Sequence, residues 1–483
     1  MTHPVSVGTP QRVAAADAST STAEPVDELP ASNAGTLNHL LHGPILPTLI
    51  RLALPTVAVL LMTTVLSVAE TYFVSSLGMN AIAAASLVVP IMMLMTMVAS
   101  GGIGGGVSSS IARARGAGSH DAAESLVWHA LVIGVGAGAL FTLAVRLAGR
   151  WMYSLMGGSG ESLELAIVYS NILFAGAIPF WILMLMQSAL RGAGNVKIPA
   201  LIMSGGVVLG LILSPGFITG WFGLPRLGVA GAGVAQVLCN IVSLAVVIAY
   251  MRSTRSNLHL RPHPLRREHF SAILGIGLIS TINAFMATLS ITALTTAAGV
   301  FGVAAIAGYG IASRLDMLLI PVMFGFGTAA ITLVGTNIGA GNIPRARRVA
   351  LVNALFVAAL IEVVGLLVGL VPNVWLGLFT DDPDVLAVGG HYLRLIAPLY
   401  GFIAINAELF FAGQAARRVG WPLTAGAIRF VFAVAAGMSV VIGHASLETA
   451  FLLVALGAVA SGLISLFGFW RVRWGEEAAP LKP

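Results

Sequence analysis

The chain has very little charge for its length. Of its 483 residues only 9% are Asp, Glu, Lys or Arg, whereas a soluble globular domain carries about 25%. There are too few charged side chains to cover a water-exposed surface, and 57% of the residues are hydrophobic. The composition therefore excludes an ordinary soluble protein and predicts an integral membrane protein.

Several features that carry chemistry in other protein classes are also missing. The single cysteine, Cys239, excludes an intramolecular disulfide. The histidines are scattered without the spacing of a metal site. The run from Gly101 to Gly106 is not followed by the Lys and Ser of a phosphate-binding loop. No convergent nucleophile and base is visible, so we expect no metal, no cofactor and no enzymatic activity.

The excess of positive charge does not predict a nucleic-acid partner. The net charge of +6 comes from Lys and Arg residues in short loops between apolar runs, without interleaved aromatic residues. This distribution is typical of residues that orient a membrane protein.

Long apolar segments dominate the rest of the chain. A membrane-spanning helix needs about 20 mostly apolar residues, and barrel strands would be about 10 residues of alternating polarity. The predicted class is therefore an all-α integral membrane protein with about twelve transmembrane helices. Their approximate positions are 46–75, 80–112, 122–147, 165–190, 197–219, 229–251, 270–299, 303–335, 347–371, 387–414, 422–443 and 447–471.

The loops differ strongly in positive charge. With a cytoplasmic N-terminus, the loops that face outward carry only Arg146, Arg150 and Arg226, and the remaining loop Lys and Arg residues lie inside. Because cytoplasmic loops carry an excess of Lys and Arg, we expect both termini to be cytoplasmic. The predicted location is the plasma membrane, or the inner membrane if the protein is bacterial.

Sequence landmarks recur along the chain at one constant offset. Gly116-Ala117-Gly118 returns as Gly339-Ala340-Gly341, and Tyr169 returns as Tyr392, so that 339 − 116 and 392 − 169 both equal 223. Glu161 and Asp384, Pro199 and Pro422, and Gly102 and Gly325 show the same offset. The chain is thus two copies of one unit, and an even number of spans per unit makes the copies parallel. We predict two six-helix lobes related by a pseudo-two-fold axis along the membrane normal.

The repeat sets the predicted domain limits. We expect a disordered cytoplasmic tail at 1–42, an N-terminal lobe at 43–251, a cytoplasmic linker at 252–269, a C-terminal lobe at 270–475 and a short tail at 476–483. The first tail consists mainly of Ala, Ser, Thr, Pro and acidic residues and lacks the apolar core of a signal peptide.

Short motifs give a further indication. The chain contains Leu52-Ala53-Leu54-Pro55, Glu70-Thr71-Tyr72-Phe73-Val74, Arg115-Gly116-Ala117-Gly118, Leu190-Arg191-Gly192-Ala193-Gly194-Asn195 and Val334-Gly335-Thr336-Asn337-Ile338-Gly339-Ala340-Gly341-Asn342. Taken in order and with this topology, the chain resembles the multidrug and toxic compound extrusion (MATE) transporters over about residues 43–475. The resemblance implies a two-lobed efflux antiporter driven by H⁺ or Na⁺.

The chain departs from that family at its ion-binding positions. The acid that usually ends the first span as Asp is Glu70 here. The Asn and Asp that accompany it on the fifth span in one bacterial branch correspond to Gly210 and Ser214, and a Thr of the sixth span corresponds to Gln236. The seventh span lacks the Glu of a second branch, because no acid lies between Phe270 and Gly299. The resemblance therefore leaves both H⁺ and Na⁺ open as the coupling ion.

In the first lobe, Glu70 is the main candidate for ion coupling or substrate binding. An ionisable side chain in a span costs about 2.5–3.5 kcal/mol on insertion scales. Its position in the second lobe is near the apolar Leu294, and an acid in one lobe only is better explained by function than by fold. The alternative is an inert Glu70 at a wetted helix end. Gln236 and Asn240 share one helical face. They either line the predicted cleft between the two lobes, together with Glu70, or form an interhelical hydrogen bond.

The second lobe contains six ionisable residues inside its predicted spans. They are Arg314, Asp316, Glu362, Arg394, Glu408 and Arg429. Buried charges of opposite sign are expected to pair, so we predict a charge network that joins the helices. The alternative is a second ion-coupling or substrate site that includes Asp316 and Glu408.

These observations predict a secondary-active exporter of amphipathic, cationic organic compounds, monomeric in the bilayer. The main alternative is a flippase for a lipid-linked oligosaccharide or another lipid, which would use the basic Arg314, Arg394 and Arg429. A channel would need polar stripes on several helices, and the polar residues are too sparse for that.

Overall fold

The computed structural model describes residues 31–474. The predicted tail at 476–483 and residues 1–30 lie outside this range. The last twelve residues of the other predicted tail form helix α1, Ala31–His42. Leu40 is buried in the protein core, and its carbonyl accepts a hydrogen bond from Asn337 Nδ2 at 3.2 Å. The prediction of disorder up to residue 42 is wrong for this helix, because its leucines pack against the protein.

The first lobe contains the following helices and turns. They are α2 Ile45–Ser75, α3 Met79–Met97, a π-helical segment Val98–Ile103, α4 Gly104–Gly116, α5 His120–Leu155, α6 Gly160–Ala175, α7 Ala177–Gly192, α8 Lys197–Thr219, a 3₁₀ turn Trp221–Gly223 and α9 Val229–Arg252.

The second lobe repeats this order. Its elements are α10 Arg267–Val300, α11 Val303–Gly339, α12 Ile343–Leu370, α13 Asn373–Leu376, α14 Pro383–Ile396, a 3₁₀ turn Ala397–Leu399, α15 Tyr400–Ala416, α16 Gly420–Val441 and α17 Leu447–Arg471.

The predicted number of spans is confirmed. Within residues 31–474, eleven continuous spans are long and apolar enough to cross a membrane. The pair α6 and α7, bent by 48° at its break, makes a twelfth. The break at Gly176 and the 3₁₀ turn that ends at Leu399 are related by the same offset as the sequence landmarks. The interruption therefore recurs in the second lobe, although Pro383–Ala416 counts there as one continuous span.

The element limits also confirm the two-lobe fold. The first residues of α5 and α12, of α6 and α14, and of α8 and α16 are separated by the offset of the sequence landmarks. The last helix of each lobe deviates, since α9 begins at Val229 and α17 begins at Leu447, earlier than that offset would place it. The difference lies in the connection before α9, which contains the 3₁₀ turn. Insertions of this kind are tolerated in surface connections.

Each lobe has its own apolar core, and each core includes the end of the other lobe's first spanning helix. Leu49 and Leu52 of α2 belong to the core of the second lobe. Ala272 and Ile273 of α10 belong to the core of the first. The first helix of each lobe therefore crosses to its neighbour on one side of the molecule. We call this the basic side, because Arg113, Arg191, Arg252, Arg345 and Arg417 lie there.

The two lobes approach most closely where α4 and α11 end. A Cβ atom added to Gly116 would lie 2.0 Å from the Thr336 carbonyl oxygen, and one added to Gly339 would lie 2.0 Å from the Arg113 carbonyl oxygen. Thr336 and Arg113 are themselves repeat partners, so the two contacts are the same contact seen from each lobe. The pseudo-two-fold axis passes between them, and only glycine permits this backbone approach.

Buried hydrogen bonds also close the basic side. Ser110 Oγ donates to the Ala272 carbonyl at 3.0 Å, and Arg113 Nη1 donates to the Ala415 carbonyl at 2.8 Å. At the opposite ends of the same bundle, Tyr72 is 72% exposed and Val303 is 83% exposed. The hydrogen bonds that join the lobes thus lie toward the basic side, whereas the far ends of α2 and α11 are exposed.

The connection between the lobes is held on the first lobe. It covers residues 253–266, shorter than the predicted 252–269, because both flanking helices extend into it. Arg115 donates to the Asn257 carbonyl at 3.1 Å, and His259 Nδ1 lies 2.9 Å from Glu124 Oε1. The backbone N–H of Arg266, at the start of α10, donates to His129 Nε2 at 2.8 Å. The linker thus places α10 against α5.

Candidate functional site

Glu70 lies on α2 and is half-buried against α8. The Ser214 hydroxyl of α8 donates a hydrogen bond to Glu70 Oε1 at 3.3 Å. One turn earlier on α8, Gly210 lets the two helices approach, since a Cβ there would lie 3.1 Å from Leu66. The side chain of Glu70 therefore faces the interior of the first lobe, as expected for an acid in a span. Its part in ion coupling stays a prediction.

The remaining first-lobe candidates lie behind Glu70 on α9. Gln236 Nε2 donates to Asn240 Oδ1 at 3.4 Å, within the same helix, and Asn240 is 9% exposed. The hydrogen bond that this pair makes in the described structure is thus within one helix, and neither of the two predicted alternatives is decided by it. Tyr169 and Cys239 are close enough to Glu70 to interact with it electrostatically.

In the second lobe, Asp316 of α11 is held by two phenols. Tyr392 Oη donates to Asp316 Oδ2 at 2.7 Å, and the hydroxyl of Tyr400 donates to the other oxygen. The ring of Tyr309 packs edge-on against Tyr392, with centroids 5.3 Å apart. Arg429 on α16 lies within electrostatic range of the carboxylate. Both carboxylate oxygens therefore have partners inside the lobe.

Glu408 of α15 is more deeply buried than the other acids and has fewer hydrogen-bond partners than Asp316. It is fully buried. Asn353 Nδ2 of α12 donates to its Oε2 at 2.6 Å, whereas Oε1 has no hydrogen-bond partner in the described structure. The Oδ1 atom of Asn353 also lacks a partner there. Glu408 and Asn353 thus form a buried polar pair.

The predicted charge network of the second lobe is not present as ion pairs. Within residues 31–474, no ion pair of 4.0 Å or less joins the six residues. Glu362 accepts a hydrogen bond from the Gly401 N–H at 2.6 Å. Arg314 is exposed and lies over the Phe379 ring at 5.8 Å. Arg394 is exposed as well.

The physical reason for this difference is the cost of desolvation. A buried pair removes two charges from water, and the attraction between them often fails to compensate. A hydroxyl, an amide or a backbone N–H satisfies a carboxylate without bringing in a second charge. The acids of this lobe use such neutral donors. Arg314 and Arg394 are exposed at the lobe surface, whereas Arg429 lies within electrostatic range of Asp316.

Sequence reasoning did not identify the partners of these acids. Tyr392 could have been noticed, because it repeats Tyr169 and lies eight residues before Tyr400. The 3₁₀ turn between the two tyrosines breaks the helical periodicity that would have placed them on one face. Asn353 also had a signal, because it lies at nearly the position that repeats His129, which favours a polar contact between helices but does not identify the partner. Gln187 of α7 was also missed. It is buried, and neither polar atom of its side chain has a partner in the described structure.

The candidate residues do not form a metal centre or one common site. Across residues 31–474, no three His, Cys, Asp or Glu side chains come together as metal ligands would. Glu70 lies in one lobe and Asp316 and Glu408 lie in the other. The three acids thus have separate hydrogen-bond partners, Ser214 in the first lobe for Glu70, the two tyrosines for Asp316 and Asn353 for Glu408.

Comparison with known proteins shows the same division into two halves. The family model described as MatE matches residues 55–215 and 279–438, one segment in each lobe. A Shewanella oneidensis protein named FAD transporter is 26% identical over 377 residues, which cover 76% of this chain and 81% of that protein. A Thermotoga maritima protein named probable multidrug resistance protein NorM is 27% identical over 367 residues, which cover 75% and 78%.

The fold is also similar to solved structures. One is described as the outward-facing conformation of a multidrug resistance MATE family transporter of the MOP superfamily. It superposes with a TM-score of 0.79 at 25% identity and covers 90% of this chain and 97% of its own.

Proposed function

The chain belongs to the MatE family of membrane transporters and is not an enzyme, and from this we propose that it is a secondary-active efflux antiporter. The cleft between its lobes would open alternately to the two sides of the membrane, as in other transporters built from repeats. An ion entering from outside would favour the return step and release of the substrate. Such exchange requires that ion and substrate reciprocally lower each other's affinity.

Glu70 and its hydrogen bond from Ser214 carry this proposal. Glu70 has no acidic counterpart in the second lobe, where the equivalent position is Ala293. A structural charge would be expected in both copies, and a charge in a span is costly. Uptake of either a proton or Na⁺ would neutralise the carboxylate and change its contact with α8. Glu70 is therefore our first choice for the coupling residue.

Orientation follows from the same positive charges that define the basic side. We infer that this side is cytoplasmic. We further infer that the conformation described above, joined on the basic side, is open to the outside. A solved relative is described as outward-facing, which supports this interpretation.

We propose amphipathic organic cations as the substrates. Acids are present in both lobes, at Glu70 and at Asp316, and multidrug resistance is the function named for several relatives. A phosphate-bearing anion, either a lipid headgroup or a dinucleotide, is the second candidate. One relative is named FAD transporter, and Arg429 stands near Asp316.

The test is transport by purified protein in liposomes under separately imposed H⁺ and Na⁺ gradients. We expect efflux of an organic cation to respond to one of the gradients, and Glu70→Gln to abolish that response while substrate binding persists. Glu70→Asp should retain part of the activity. Glu161→Gln is the control, because Glu161 is an exposed acid that accepts a hydrogen bond from Asn80 at 2.5 Å.

Two results would redirect the proposal. Wild-type rates for Glu70→Gln under both gradients would move the coupling role to Asp316 or Glu408. Gradient-driven transport of FAD without transport of any cation would support the anionic alternative.

A further inference from the structure

A long apolar groove runs along the outside of the first lobe between α8 and α9. It has a volume of about 600 Å³, within the range of roughly 300–1,000 Å³ typical of ligand sites. Its walls include Ile198, Leu201, Val208, Ile212, Val246 and Tyr250. Leu201 is 67% exposed, and every lining residue belongs to the first lobe, so the groove opens on the surface of that lobe and not between the lobes.

The floor of the groove is made by two adjacent glycines. A Cβ added to Gly205 would meet no atom within 4 Å, and one added to Gly206 would meet only the Ser243 hydroxyl at 3.1 Å. The repeat partners of these glycines are Ile428 and Arg429. The helices of the second lobe that correspond to α8 and α9 are α16 and α17. A Cβ added to Gly457 of α17 would lie 2.8 Å from Phe432 of α16, so the space between these two helices is filled. The groove therefore belongs to the first lobe and is not a general feature of the repeat.

The groove is long enough to cross one leaflet of a bilayer. Ile198 and Ile212 lie fourteen residues apart on α8, or about 21 Å at 1.5 Å per residue. Half of a hydrocarbon core of about 30 Å is shorter than this. An extended acyl chain that enters from the basic side can thus lie along the groove.

Positive charges stand at the end of the groove on the basic side. There Asn195 Nδ2 donates to Tyr250 Oη at 2.8 Å, which ties the start of α8 to the end of α9. Lys197 follows Asn195 by two residues, Arg252 follows Tyr250 by two residues, and both side chains are exposed. Of the acids on this side, Glu124 contacts His259, Asp121 lies 3.9 Å from His263, and Glu268 lies in the first turn of α10. The mouth of the groove is therefore cationic.

We propose that this groove binds an anionic phospholipid of the cytoplasmic leaflet. One acyl chain would lie over Gly205 and Gly206, and the phosphate would lie between Lys197 and Arg252. Basic pockets between transmembrane helices on the cytoplasmic side are suited to anionic headgroups. The inference rests on the orientation given above and is independent of the transported substrate and of Glu70.

The experiment titrates the purified protein with phosphatidylglycerol and counts bound lipids by native mass spectrometry, with phosphatidylcholine of the same chains for comparison. We expect one phosphatidylglycerol to bind at least about ten-fold more tightly than phosphatidylcholine. Lys197→Gln combined with Arg252→Gln should weaken phosphatidylglycerol binding by about 30-fold, or roughly five-fold per charge, and leave phosphatidylcholine unchanged.

A second variant tests the acyl-chain part of the site. Gly205→Leu should fill the groove and remove that one bound lipid. Gly136→Leu is its matched control, because Gly136 is an exposed helical glycine of α5 whose added Cβ also meets no atom within 4 Å. Arg348→Gln is the control for charge, since Arg348 is exposed on the basic side of the other lobe.

Three outcomes would overturn the proposal. The first is equal affinity for the two lipids, and the second is unchanged phosphatidylglycerol binding in both groove variants. The third is a wild-type dimer that Gly205→Leu dissociates, because the occupant would then be a second copy of the chain.

Discussion

At the scale of single residues, Asp316 and Glu408 of the second lobe differ in how completely their carboxylate oxygens are hydrogen-bonded. Asp316 has a phenol on each oxygen, whereas Glu408 has one amide donor and an oxygen without a partner in the described structure. An unsatisfied buried polar group costs about 1–3 kcal/mol. Glu408 and Asn353 therefore have a stability cost that an apolar pair at the same positions would not have.

This difference predicts a non-additive mutant pair. Asn353→Leu alone should lower the free energy of unfolding by about 1–3 kcal/mol, because it leaves Glu408 without a donor. Adding Glu408→Leu should recover much of this loss, since both polar groups are then absent. Thermal unfolding of the purified single and double variants provides the measurement. Strictly additive effects would show that the two side chains do not depend on each other.

At the scale of elements, the crossing of α4 and α11 limits how the lobes can move. Their backbones touch at Gly116 and Gly339, on the pseudo-two-fold axis. The π-helical segment Val98–Ile103 precedes α4, and such segments are frequent at functional positions in helices. We infer that the basic side opens by separation at this glycine contact.

We expect Gly116→Ala and Gly339→Ala each to disturb this crossing. A methyl group 2.0 Å from a carbonyl oxygen cannot fit without backbone movement, and such overpacking typically costs about 1–3 kcal/mol. Both variants should therefore melt at lower temperature than the wild type. Gly275→Ala is the control, since its added Cβ meets no atom within 4 Å. A melting temperature equal to that of the control would mean that the two helices separate easily.

At the scale of the whole molecule, the asymmetry between the two sides predicts which residues reach solvent. Ser110 is buried between the lobes on the basic side, whereas Tyr72 is exposed on the far side. A return to the inward-open state must expose Ser110. The two positions therefore report the two conformations.

Cysteine labelling can measure this. In a Cys239→Ala background, which removes the chain's single cysteine, Tyr72→Cys should react with an impermeant maleimide added outside, and Ser110→Cys should remain protected. An imposed gradient of the coupling ion should increase labelling of Ser110→Cys from the cytoplasmic side. Constant protection of Ser110→Cys during active transport would contradict a rigid-body exchange of the lobes.

Much of the fold was predictable from the sequence because its determinants are local or periodic. The length and apolarity of a segment decide whether it spans a bilayer, so twelve spans could be predicted without any contact information. The constant offset between sequence landmarks predicted two lobes, and it appears again in the element limits. Glu70 was also identifiable, because an acid in an apolar segment is conspicuous.

The contacts of these residues were decided only by the tertiary structure. Composition places six ionisable residues in the second lobe, but the rotation and packing of its helices determine that Asp316 meets tyrosines and Glu408 meets Asn353. The same holds for Glu70 and Ser214, which lie far apart in the chain and meet through a side-chain hydrogen bond. Hydropathy specifies which segments enter the membrane, whereas the partner of each buried polar group depends on short-range geometry between distant segments, which a single sequence does not encode in any local pattern.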